Sequence, residues 1–156
     1  MVACAIDDNV QNHQLMLLHG AQGKGKSTFI RHLLPPELKD YYRNGMIIPE
    51  NNNHLLQLSS CLLINLDEFD TLSPERMQNL KSLITQDVVN ERKVYDIQNY
   101  TYIRRASFIA STNNPHCMPD VKENRRILFS TLLNIDYHTP VNHEGIYAQA
   151  YALYRQ

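Results

Sequence analysis

The segment "HQLMLLHGAQGKGKSTFIRHLL" (13–34) constrains the fold more than any other. A strand-type apolar run (13–20) leads into a glycine loop, and the loop leads into a helix-type run, "KSTFIRHLL" (26–34). Pro35 and Pro36 end that helix, because proline lacks an N–H and clashes with the preceding turn. Further apolar runs follow at "CLLINL" (61–66), "ASFIAST" (106–112) and "RILFSTLL" (126–133). Continuous runs of this kind belong to strands buried on both faces. Between them, Ser73 predicts an N-cap with Pro74 at the first helical position, and Met77, Leu80, Leu83 and Ile84 follow at helical spacing. "MII" (46–48) reads as a short strand, and "KVYDI" and "YTYIRR" around Gln98 and Asn99 read as a β-hairpin. Strands alternating with helices predict an α/β layered fold on a mainly parallel sheet.

The 156 residues are about one domain's worth, and 43% apolar with 20% charged residues is ordinary for a globular chain. A formal net charge of -1 provides no global attraction to nucleic acid, so any such contact must come from a local basic patch. Cys4, Cys61 and Cys117 are odd in number and lack a C-x-x-C pair, which fits free thiols in a reducing cytoplasm. The seven histidines have no metal-ligand spacing, and no run reaches the length of a membrane span. "MVACAI" reads as the tail of a helix. Asn142 caps a terminal helix that puts Ile146, Ala150, Leu153 and Tyr154 on one face. Neither end carries a stop signal, so the expectation is one domain, residues 1–156, excised from a longer protein.

Gly20 to Ser27 match G-x-x-x-x-G-K-[ST], in the strand–loop–helix setting that phosphate binding requires. Glycines let the backbone wrap a phosphate closely, and N–H groups converge on it at the start of the helix. The candidate nucleotide-binding set is Gly20, Gln22, Gly23, Lys24, Gly25, Lys26, Ser27 and Thr28. Lys26 is expected to meet the β- and γ-phosphates, and Ser27 to ligate Mg²⁺.

Asp67 closes an apolar strand, from where a carboxylate can hold Mg²⁺ through water. Glu68 beside it is suited to deprotonate a water for attack on the γ-phosphate. Asn113 follows the "FIAST" strand, which predicts its amide at the same carboxyl edge of the sheet. There it could hold the attacking water or touch the γ-phosphate. An Asn-Asn-Pro turn is the plainer reading. Arg125 or Arg126, before the last strand, could stabilise charge on the transferring phosphoryl group in its own subunit or in a neighbour's. Glu68, Asn113 and the arginine pair are all expected near one edge of the sheet. In the hairpin, Lys93 with Tyr95, Tyr100 and Tyr102 could contact single-stranded nucleic acid, and Arg104 and Arg105 at its end could serve as a second finger, face DNA phosphates or simply be solvated. Cross-strand aromatic pairing explains the tyrosines equally well.

The order "GAQGKGKSTF", "INLDEFD", basic hairpin, "STNNPHCMPDVKENRRI" resembles the virulence-associated E family, whose ATPase domain is similar to superfamily three helicases. The resemblance spans nearly the whole chain. One departure stands out: Lys122 and Glu123 replace the Thr-Gly that usually precedes Asn-Arg-Arg. The resemblance implies a P-loop NTPase of ASCE type, a three-layer sandwich whose "STNN" strand lies between the loop strand and the "LDE" strand. It implies ATP and Mg²⁺ as cofactors, Lys26 and Ser27 on the phosphates, Asp67 on the metal, Glu68 on the water and Asn113 as sensor. One of the arginines becomes a finger acting across a subunit interface. The implied activity is that of an ATP-hydrolysing motor in a DNA-replication protein of a phage or mobile element. It would work on single-stranded DNA as a ring, with six subunits expected. Two other readings stay open: a small-molecule or nucleotide kinase, and a non-hydrolysing nucleotide-binding module.

Overall fold

Leu15–His19 form β1 and Lys26–Arg31 form α2, so the glycine loop joins a strand to a helix as its residues predict. The computed structural model describes residues 1–45, 52–66, 69–92, 99–117 and 125–156. α1 (Val2–Ile6) precedes β1. After α2 come a 3-10 helix (Pro36–Tyr41), β2 (Tyr42–Asn44), α3 (Asn52–Ser60), β3 (Leu63–Leu66) and a single 3-10 turn (Phe69–Thr71). Then follow α4 (Pro74–Ile84), β4 (Val88–Arg92), β5 (Asn99–Ile103), β6 (Ser107–Thr112), β7 (Ile127–Thr131) and α5 (His143–Tyr154).

Five strands form one sheet in the order β2-β3-β6-β1-β7, and every neighbouring pair is parallel. β6 therefore lies between β1 and β3, the order expected above. Side chains alternate across the strands and supply two apolar clusters. Leu15 and Leu17 of β1, Phe108 and Ala110 of β6, and Ile64 and Leu66 of β3 pack with Leu58 of α3 and Leu80, Leu83 and Ile84 of α4. On the opposite face Leu18, Ile109 and Leu63 pack with Ile30 and Leu34. Burying each such side chain contributes about 2 kcal/mol, which is why a sheet of this composition takes helices on both faces.

Local signals explain the helix ends. Ser73 Oγ accepts from Arg76 N at 3.3 Å and Pro74 opens α4, as predicted. α2 is shorter than its apolar pattern: Leu33 N turns to Ile30 O at 3.2 Å, a tighter turn that brings the chain round to Pro35. The hairpin exists, but its first strand is Val88–Arg92 rather than 93–97, and 93–97 lie outside the described residues. Val89, fully buried in the α3–α4 cluster, sets that register. The strand expected at 46–48 likewise lies outside the described residues.

Two expectations about buried faces are corrected. Met16 and Leu128 are partners on β1 and β7 and are both close to half exposed, so those strands are not covered on both faces throughout. In α5 the partly buried positions are His143, Tyr147, Ala150 and Tyr154, whereas Ile146 and Leu153 are exposed. Hydroxyls draw the tyrosines inward: Tyr147 donates to Leu33 O at 3.0 Å and Tyr154 donates to Asp7.

Candidate functional site

The site grows from the backbone of the glycine loop. Gly23 and Gly25 both adopt left-handed φ values, 77° and 78°, that favour glycine strongly over residues with a Cβ. Gly25 is also crowded. A Cβ there would fall 2.1 Å from Cδ1 of Tyr137, whose ring lies against the loop. The resulting pocket, about 510 Å³, is lined by Gln22 to Thr28, Asp70, Ser111, Asn113 and Tyr137.

Lys26, the first residue of α2, is buried with its ammonium turned back to the loop. Its Nζ donates to Gly20 O at 2.6 Å, to Ala21 O at 2.9 Å and to Asn113 Oδ1 at 2.7 Å. Burial pulls its pKa below the usual lysine value of 10.5, and Asp70 opposes that shift. Ser27 and Thr28 next to it are exposed towards the pocket.

Parallel pairing brings Asn113 here. His19 is in register with Thr112, so the residue after β6 emerges beside the start of the loop. Asp70 fixes this tip: its carboxylate accepts from Thr112 Oγ1 and from Asn113 N, the latter at 3.3 Å. Phe69, 2% exposed, anchors the turn that presents Asp70. Asp67 and Glu68, the predicted metal ligand and base, lie outside the described residues, as does Lys93.

The arginines fall elsewhere, which corrects the shared-edge expectation. Leu15 is in register with Ile127, so Arg125 and Arg126 precede β7 at the amino edge of the sheet. Five residues of strand separate that edge from the loop, ~17 Å at 3.3 Å per residue. Arg126 Nη1 donates to Lys81 O at 3.2 Å, and Arg125 is exposed.

Arg104 is also corrected. It is 1% exposed and donates to the carbonyls of Gln86, Ala106, Asn12 and Ile84. A guanidinium enclosed in this way braces the fold and offers no DNA contact. Arg105 turns the same way, donating to Cys4 O and Ala5 O and pairing with Asp8 at 2.5 Å. Tyr102 packs against the core and its ring stacks on that of Tyr100 with 6.4 Å between centroids.

Sequence reasoning missed Asp70 and Tyr137. The third carboxylate of "LDEFD" was a usable signal for Asp70. Nothing local marks Tyr137, which arrives by the path of the chain beyond β7. Among the described residues no cluster of His, Cys, Asp and Glu could hold a metal by itself, and no helix is long and apolar enough to cross a membrane.

Fold and site together define a parallel α/β domain with a glycine loop, a buried lysine and the tip of a neighbouring strand meeting at the carboxyl edge. Within that class the chain belongs to the virulence-associated protein E-like domain family, whose profile matches residues 1–156. Among curated proteins none matches it. Solved structures share the fold. The apo C-terminal region of NrS-1 (305–718) is 16% identical with a TM-score of 0.57, the match covering 92% of this chain and 36% of that one. Its A form is 17% identical with a TM-score of 0.56, covering 90% and 34%. The chain thus spans about a third of the length of those structures.

Proposed function

We propose that this chain is the Mg²⁺-dependent, ATP-hydrolysing motor domain of a phage or mobile-element DNA-replication protein. In this reading it is a P-loop NTPase of ASCE type, helicase-like, and acts as a ring of six on single-stranded DNA. The observation that carries the reading is Lys26. Its ammonium is held by three neutral oxygens, at distances of 2.6 to 2.9 Å, at the mouth of a glycine loop. A cation so placed gains by exchanging such partners for phosphate oxygens, because charge-assisted hydrogen bonds are roughly twice as strong as neutral ones.

The residues fit a nucleoside triphosphate. The pocket volume of about 510 Å³ is of ligand-binding size. Gly23, with no neighbouring atom within 4 Å of where a Cβ would stand, leaves its backbone open to close approach, and the hydroxyls of Ser27 and Thr28 are exposed. Ser27 and Asp67 would hold Mg²⁺, which neutralises phosphate charge when bound. Glu68 takes the proton of the attacking water. Asn113 positions that water or the γ-phosphate, and Asp70 orients Asn113 through its backbone N–H.

Arg125 or Arg126 acts on a neighbouring subunit's site. The ~17 Å between the two sheet edges supports action in trans over action within one subunit. DNA contact rests on family membership. With Arg104 and Arg105 engaged inside the fold, Lys93 is the remaining basic candidate of the hairpin.

Phosphate release from ATP, with and without a Glu68→Gln substitution, tests the reading. Mg²⁺-dependent release by the parent and its loss in the variant, with ATP still bound, is the expected result. A variant as fast as the parent overturns the assignment of Glu68. ATP loss that needs an added acceptor points to a kinase.

A further inference from the structure

We propose that Tyr137 is the platform on which the nucleobase stacks. The proposal rests on the nucleotide reading of the loop and adds to it the place and the chemistry of base recognition.

The connector after β7 is built to bring this ring to the pocket. Leu132 N donates to His19 O at 2.7 Å, which holds the outgoing chain beside the start of the glycine loop. Asp136 then closes a tight turn. Its carboxylate accepts from the backbone N–H groups of His138 and Thr139, both at 3.1 Å, and from Thr139 Oγ1 at 2.6 Å. Tyr137 sits inside that turn, so its backbone is fixed. The His138 ring packs beside it, 4.2 Å away centroid to centroid and tilted by 36°.

The ring ends half-buried against Gly25, where a Cβ would lie 2.1 Å from Cδ1. Among the described residues it is the one aromatic side chain lining the pocket, whose other lining residues are polar or glycine. The base is the one aromatic part of a nucleotide, and a face-on tyrosine takes any base because every base has a π-face. Lys26 and the loop amides would hold the phosphate end while Tyr137 holds the other.

Calorimetric titration of the purified chain with a non-hydrolysable ATP analogue and with inorganic tripolyphosphate, both with Mg²⁺, separates the two ends. Tyr137→Ala is expected to weaken the analogue about tenfold or more and to leave tripolyphosphate unchanged, which also shows that the variant is folded. Tyr137→Phe keeps the ring and is expected to match the parent. Equal weakening of both ligands, tightening of either, or no change in the analogue overturns the proposal. If the parent binds both ligands with equal affinity, the base subsite fails and the phosphate site stands. If the parent binds neither, the nucleotide reading fails and takes the subsite with it.

Discussion

Lys26 Nζ donates to Asn113 Oδ1 across 2.7 Å, linking the first residue of α2 to the residue after β6. The bond joins the two elements that a triphosphate would have to touch at once. Asn113 is in turn tied through its N–H to Asp70. A ligand that draws Lys26 away releases the Asn113 amide to act on something else.

Asn113→Ala should therefore separate binding from turnover. Lys26 keeps its two loop carbonyls, so affinity for ATP is expected to stay close to that of the parent. Loss of a donor aimed at reacting groups costs on the order of 100-fold in rate. Steady-state phosphate release alongside calorimetric affinity checks this. A variant that loses affinity and rate in the same proportion would show Asn113 to be a binding residue only.

Arg104→Met leaves four backbone carbonyls without their donor in the interior. Hydrogen bonds to a charged group contribute about 1.5–3 kcal/mol and a buried orphan acceptor adds its own cost, so a loss of roughly 3 kcal/mol is expected. Urea unfolding measures it. A variant as stable as the parent but deficient in DNA binding would restore Arg104 as a surface contact.

What the sequence reveals and conceals follows from distance along the chain. The glycine loop, the Ser73 cap and the apolar runs act over a few residues, so their physics is visible in the residues themselves. Arg104 was misread because a basic pair at a hairpin end looks solvated. What encloses it comes from Asn12, Ile84 and Gln86, up to 92 residues away. The arginine pair was put at the wrong edge for another reason. Two parallel strands present the start of one and the end of the other at opposite edges, so a residue before β7 cannot share an edge with the loop after β1. Tyr137 and the inward face of α5 depend on where a connector folds back, and apolar spacing does not encode that.

The link between α1 and α5 should make stability depend on pH at both extremes. Tyr154 OH donates to the Asp7 carboxylate. That bond, with a second from Asn9 N, holds Asp7 below the usual 3.8. It also pushes Tyr154 above the usual 10.0. A depressed carboxylate contributes stability that is present above its unfolded pKa and lost as pH falls through its folded value. A raised tyrosine contributes stability that is present below 10.0 and lost as pH rises through its folded value. Tyr154→Phe should lower Tm slightly at neutral pH, and the gap from the parent should close in acid and in strong base. A gap that is constant across a circular-dichroism melting series would reject the linkage.

Arg125 offers the sharpest test of assembly. It is exposed at the amino edge of the sheet, ~17 Å of strand away from its own subunit's loop, and is proposed to serve a neighbour's. A finger acting in trans makes two defects complementary. Glu68→Gln removes the carboxylate proposed to activate water and keeps the arginine, whereas Arg125→Ala keeps the carboxylate and removes the arginine. Each variant alone should release little phosphate, with a loss on the order of 10³-fold for the arginine. Mixed in equal amounts they should recover a measurable fraction of parental activity, because some interfaces then pair an intact site with an intact finger. Recovery should vanish on dilution below the concentration at which sedimentation shows the assembly to dissociate. Activity in Arg125→Ala that equals the parent would move the role to Arg126, whose Nη1 bond to Lys81 O would then have to break on assembly. No recovery in the mixture, with both variants assembled, would count against catalysis across the interface.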